Sequence, residues 1–346
     1  MIRRMEARTA DLRLISRPMR LIAVFLAVQA LWVPAAAAAP EIYSDRQLAG
    51  DEQRYTQKFE FLFEKGLRDF MKPGERRALQ GVVIDHPMRG RSPLAIESSV
   101  IAGTPFVTAP VSSLKFIEDL SVAYAWRYTN GYSLEPTDEY LVMLKHRPAG
   151  DFPGGREPDP MTALGVPAKI WERDPKVDDL SLRFRNTAWA FVLAHELGHL
   201  RFGHTLASAS PVEIQRQEEA ADEFAVDLMG RSGTIPMGMI LWFQATAGYM
   251  KNRSDFPSDA AYFDWVRTMA AHPVNGRRMR HLASMLQRQA AAERDANQAD
   301  ILQFIAGRLA AIGEIIEDPD MQRLLKRCAA SRRPDDLKRL EDRPCY

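Results

Sequence analysis

Apolar residues recur at intervals of three and four almost without a break from Ser181 to the C-terminus, the spacing of helices that bury one face. The same spacing runs through residues 44–72. There Phe59, Phe61, Phe63, Leu67 and Phe70 stand among charges, and Pro73-Gly74 closes the segment. Residues 113–129 and 136–146 read as two further helices parted by Asn130-Gly131. Residues 80–111, rich in Val, Ile, Ser and Thr with Gly and Pro breaks, predict short strands or irregular structure. Six prolines from Pro148 to Pro175 predict a long surface loop over 148–177, a rim or lid over a site. The expected fold is mainly α, with a small amount of strand in the N-terminal half. No repeat at the periods of helical arrays is present.

Two apolar runs need separate readings. Leu21–Val33 is 13 residues, too short to span a bilayer as a helix. It follows six arginines (Arg3 to Arg20) and precedes Pro34 and the five alanines Ala35–Ala39. Basic stretch, short apolar stretch and small-residue site together predict a signal peptide over 1–39 and an exported, periplasmic or secreted chain. Residues 235–250 are the other run; Gln244 and Thr246 within it predict a buried helix rather than a membrane contact, so no transmembrane helix is expected after the signal.

The 46 Lys+Arg against 45 Asp+Glu leave a formal charge of +1, so no large field advertises a nucleic-acid partner. That neutrality is an average. The signal holds six arginines against Glu6 and Asp11, and removing this excess of four leaves a mildly acidic chain of net −3. The two cysteines, Cys328 and Cys345, exclude a Cys-rich zinc module; whether they pair in an oxidising compartment stays open. The boundaries read as 41–180 for an unassigned N-terminal part, 181–285 for a core carrying the chemistry, and 286–346 for a helical tail.

That chemistry lies in His195-Glu196-Leu197-Gly198-His199, inside an apolar-periodic segment (Phe184, Ala188, Phe191, Val192) read as a helix from about Ser181. On a helix, residues four apart lie about 40° apart and one turn along the axis. His195 and His199 therefore present two imidazoles that one metal ion can bridge, and Glu196 can reach a water beside it. This is the two-histidine zinc motif with its general-base glutamate.

The third ligand must come from elsewhere. A third histidine six residues after the second would fall on Thr205; His204 is one residue short and, if the helix continues, lies about 140° around and faces away. A glutamate from a following helix is the alternative, and residues 211–229, opened by Pro211, supply one. Glu218 has Asp222 one turn further along the same face, positioned to orient a ligating histidine. Glu219, whose one-turn partner is Glu223, is the rival.

Glu218-x-x-Ala221-Asp222 after His-Glu-x-x-His resembles the glutamate-liganded zinc metallopeptidases, the gluzincins. Within them it resembles the branch of prenyl-protein proteases, membrane heat-shock proteases and their soluble periplasmic relatives. Ala221-Asp222-x-Phe224-Ala225 running into Gly233, and His272-Pro273 followed by Arg278 and Leu282, belong to the same likeness. It covers about residues 185–285. It implies an α+β zincin fold, one zinc per chain and protein or peptide substrates. It also implies that His272 stabilises a developing oxyanion and that Arg278 pairs with a carboxylate of the site. One departure is clear: the gap between the two helices leaves no room for membrane helices. The compact spacing also resembles single-domain metallopeptidases that cleave regulatory proteins.

The expected activity is a zinc metalloendopeptidase acting in the cell envelope, with His195, His199 and Glu218 on the metal and Glu196 as base. A different class of reading is a zinc-binding envelope chaperone or scaffold. The intact Glu196 argues against it, and a closed fourth coordination position would argue for it. Nucleophilic catalysis has no support, because there is no Gly-x-Ser-x-Gly elbow and neither cysteine neighbours a histidine.

Overall fold

Ser44 opens the first helix, α1 (Asp45–Phe61), with a capping box: its hydroxyl accepts from the Gln47 amide, and the Gln47 side chain accepts from the Ser44 amide. The computed structural model describes residues 41–205, 209–269 and 272–343, so the expected signal segment and Cys345 lie outside the described residues. After α1 the chain stays helical through a π turn and a 3-10 turn to Phe70. Pro73 then starts α2 (Pro73–Ala78) at its first position, where a missing N–H costs nothing.

The predicted strand region forms a three-stranded sheet of β1 (Val83–Asp85), β2 (Glu97–Ile101) and β3 (Thr104–Thr108), in the order β1-β3-β2. Ala102 and Gly103 both have positive φ, 50° and 83°, which gives the tight turn joining β2 to β3 antiparallel. Helices α3 (Val111–Thr129) and α4 (Glu135–His146) follow, both largely buried. This mainly α architecture with little strand is the fold class that the periodicity predicts.

Residues 148–177 are not one continuous surface loop. Short helices α5 (Pro160–Ala163) and α6 (Ile170–Arg173) interrupt them, and Phe152, Ala163 and Leu164 are buried in the main core. Ile170 packs with Val177 and Leu180 at the start of α7 (Pro175–Phe202). At ~1.5 Å per residue that end stands some ~27 Å from His195. The helix also begins earlier than Ser181: Asp174 accepts from the amides of Lys176 and Val177, and Pro175 occupies the first turn.

α8 (Pro211–Arg231) and α9 (Gly238–Tyr249) pack on α7, and α10 (Asp259–Met269) leads to the paired helices α11 (Gly276–Ala292) and α12 (Ala296–Glu317). α9 is the apolar run around 235–250, and Gly238 to Thr246 are all buried. Among the described residues no helix is long and apolar enough to cross a membrane. The final helix, α13 (Pro319–Ser331), lies against α4. Beyond it Arg339 donates to both oxygens of Glu139 at 2.8 Å. The largest hydrophobic core extends from Ile42 to Leu337, and smaller clusters form around Val177 and around Tyr262 and Val266 of α10.

The crossing of α7 and α9 depends on Gly238. A Cβ there would lie 2.1 Å from the Ala188 amide nitrogen and 2.3 Å from the Phe184 carbonyl oxygen, backbone atoms that no rotamer change can move aside. Gly238→Ala should therefore destabilise the protein by about 1–3 kcal/mol as the helices are pushed apart. A lower urea midpoint with unchanged slope checks it.

Candidate metal centre

α7 and α8 touch where both are narrow. A Cβ on Gly198 would stand 3.0 Å from Ala221 Cα and 3.2 Å from its carbonyl oxygen, so a glycine facing an alanine lets the two axes close in. The residues three before and one after each contact position are then brought together: His195 and His199 from α7, Glu218 and Asp222 from α8. Ser210 fixes the phase of α8 by accepting from the Glu213 amide in a second capping box.

Four side chains converge in the resulting space. His195 Nε2 lies 3.0 Å from His199 Nε2 and 3.5 Å from Glu218 Oε2, while His199 Nε2 lies 3.5 Å from Glu218 Oε1. His272 adds its Nδ1, 3.3 Å from His195 Nε2 and 3.0 Å from Glu218 Oε1. Three are buried, and His272 is the member that solvent reaches. A tetrahedral ion with ligands at ~2.05 Å has edges of ~3.3 Å, and these separations scatter around that value. The donor set fits a metal: three imidazole nitrogens and one carboxylate oxygen, the chemistry that zinc accepts.

Behind this group stands a buried polar layer. Asp222 Oδ1 is 2.9 Å from His195 Nδ1. Arg278 clamps Asp222 through Nε and Nη2 at 2.7 and 2.8 Å and reaches Glu218 Oε2 through Nη1 at 2.7 Å. Its guanidinium also lies over the Phe243 ring, 5.3 Å from the centroid. Burial alone would raise the Glu218 carboxyl, but His272 and Arg278 outweigh it and hold the acid well below the usual range. Burial likewise keeps His199 neutral, far below its ordinary value. For His195 burial is opposed by Asp222 and Glu218, which lift it to about 9.

Glu196 is the exception in this network. It is 1% exposed, and neither carboxylate oxygen has a hydrogen-bond partner; His272 Nε2 stands 3.3 Å from Oε1. A buried carboxylate without hydrogen-bond partners is costly, and such groups concentrate where chemistry requires them.

Of the two candidate glutamates, Glu218 points into the group, whereas Glu219 turns outward to Arg277, 2.9 Å away. One other placement differs from what periodicity suggests. His204 does not face away, because α7 ends: Gly203 takes φ 65°, the helix stops at Phe202, and the chain doubles back to set His204 Nδ1 3.0 Å from His199 Nδ1. A glycine just after the last periodic residue is a helix-stop signal, and that signal could have placed His204 beside His199. His272, which the resemblance assigns to the oxyanion, sets its Nδ1 beside His195 and Glu218.

The family described as Peptidase U49 matches residues 181–235, from the second turn of α7 to just past α8. That segment holds His195, Glu196, His199, Glu218 and Asp222, but not His272 or Arg278. No curated protein and no solved structure matches the chain. The molecule thus carries a segment similar to a peptidase family, and three members of a His-His-Glu-His group that could hold a metal ion lie within it.

Proposed function

We propose that the protein is a zinc-dependent metallopeptidase of the gluzincin type, exported to the cell envelope and acting on protein substrates there. The observation that carries this reading is Glu196, a buried carboxylate without a hydrogen-bond partner, beside His272 of the metal-ligand group. His195, His199 and Glu218 would hold the zinc. When bound, the ion supplies Lewis acidity, acidifying a water and polarising the scissile carbonyl. Glu196 takes the proton of the attacking water and passes it to the leaving amine. Asp222 fixes the tautomer of His195 by accepting at Nδ1, and His204 does the same for His199. The N-terminal pattern of residues 1–39 supports export, and N-terminal sequencing of the secreted protein would read the cleavage point. The test of activity is proteolysis and bound zinc in wild type and Glu196→Gln, with metal in both and cleavage in wild type alone.

A second reading rests on His272. Its Nδ1 fills the corner a catalytic site keeps for water, and a site closed by four protein ligands is structural. For water to meet Glu196, His272 must withdraw. His272→Ala separates the two readings through metal content. With His195, His199 and Glu218 as sufficient ligands the variant keeps one zinc per chain, measured by elemental analysis after dialysis. Loss of zinc would favour the scaffold.

A further inference from the structure

A second cavity, of about 230 Å³, lies between α4, α9, α12 and α13, and no residue of the histidine group lines it. Most of its wall is aliphatic, with Val142, Ile312, Ile316 and Leu325 among its lining. Four charged side chains also line it: Glu135, Asp138, Glu139 and Arg308. Glu139 is answered by the bidentate Arg339, which also stands 3.6 Å from Glu135. That leaves one charge of each sign. Asp138 accepts a hydrogen bond from Gln244 Nε2 and forms no ion pair. Arg308, half-buried, has no ion-pair partner among the described residues. Gln244 is only 8% exposed, and its Oε1 accepts no hydrogen bond.

We propose that this cavity binds a free α-amino acid with an apolar side chain. The carboxylate meets Arg308, the ammonium meets Asp138 and Gln244 Oε1, and the side chain fills the aliphatic space. A purely anionic amphiphile would set its charge against Asp138, and a purely cationic one would leave Arg308 unanswered; a zwitterion satisfies both. The volume is below the roughly 300 Å³ at which drug-sized sites begin, which suits one amino acid rather than a peptide or an acyl chain. Burial raises the Asp138 carboxyl to about 6, outweighing the lowering effect of the Gln244 hydrogen bond and of the Arg308 charge. Convergence of a few polar groups on an apolar cavity is the usual form of a small-ligand site. None of this depends on the metal centre or on peptidase activity.

The experiment is calorimetric titration of the full chain at neutral pH with L-leucine, L-methionine and L-phenylalanine, and with leucinamide and N-acetyl-leucine as probes lacking one charge each. At least one free amino acid should bind, with leucinamide and N-acetyl-leucine each weaker than leucine by at least about tenfold, the loss expected for a charge-assisted hydrogen bond. Arg308→Gln and Asp138→Asn should weaken the free amino acid by a similar factor. Absence of heat with all three amino acids would overturn the proposal. So would equal binding of the blocked and free forms, or wild-type binding by folded Arg308→Gln protein. The ligand series on wild type decides the matter even if a variant fails to fold. Because it reads binding heat and not cleavage, failure here leaves the peptidase reading untouched.

Discussion

Glu196→Gln protein should keep its zinc and cleave protein substrate about 10²–10⁴-fold more slowly than wild type. The amide matches the carboxylate in size, so the packing of α7 is undisturbed, and Glu196 is not among the convergent ligand atoms. Only the basic oxygen is lost. The substitution should also leave stability unchanged or raise it, because it replaces a 1% exposed carboxylate without hydrogen-bond partners by a neutral group. A residue kept for its packing would show the opposite pattern, with activity retained and stability lost. Metal content, thermal melting and cleavage rate measured on one preparation separate these outcomes. Undiminished cleavage would end the assignment of Glu196 as base.

Arg278→Met should have the largest effect on stability, about 3–5 kcal/mol under chelating conditions. Arg278 is 2% exposed, bidentate on Asp222 and in contact with Glu218, so its removal leaves two buried carboxylates facing each other without their cation. Zinc would supply part of the missing positive charge, so the deficit should shrink when the metal is added before urea denaturation. The pH dependence has a definite sign. In wild type, burial pushes the Asp222 carboxyl up, but Arg278 overrides it and holds the acid below its ordinary value. Its contribution is therefore present above the unfolded value near 4 and lost as pH falls through the lower folded value. Without Arg278 only His195 still opposes burial, so the folded value rises and the variant loses less stability on acidification than wild type. The gap between the two proteins should be widest near neutral pH and narrow towards pH ~4. A gap that is constant with pH would show that Arg278 acts through packing on Phe243 rather than through charge.

Local periodicity carried a large part of this molecule. Two histidines four residues apart on a helix share a face whatever surrounds them, so His195, Glu196 and His199 were legible from the sequence alone. Pro211 and the apolar spacing gave α8, and the one-turn offset of Glu218 and Asp222 gave a glutamate with a partner. The mainly α fold followed from the same repeats. The start of α7 was missed although its signal was present: Asp174-Pro175 is a cap followed by a first-turn proline, obscured by the prolines before it.

What the sequence determined by itself was chemistry within one helical turn, together with the identity of the elements. Tertiary structure alone decided which face of α8 meets α7, through the close contact of Gly198 with Ala221, and so chose Glu218 over Glu219. It also carried His272 and Arg278 across more than fifty residues to the same point, and set Asp138 and Arg308 around one cavity without pairing them. The physical reason is one of range. Periodicity records which side of an element is apolar, whereas side chains distant in sequence meet only through the packing of whole helices, which depends on the volumes at each crossing.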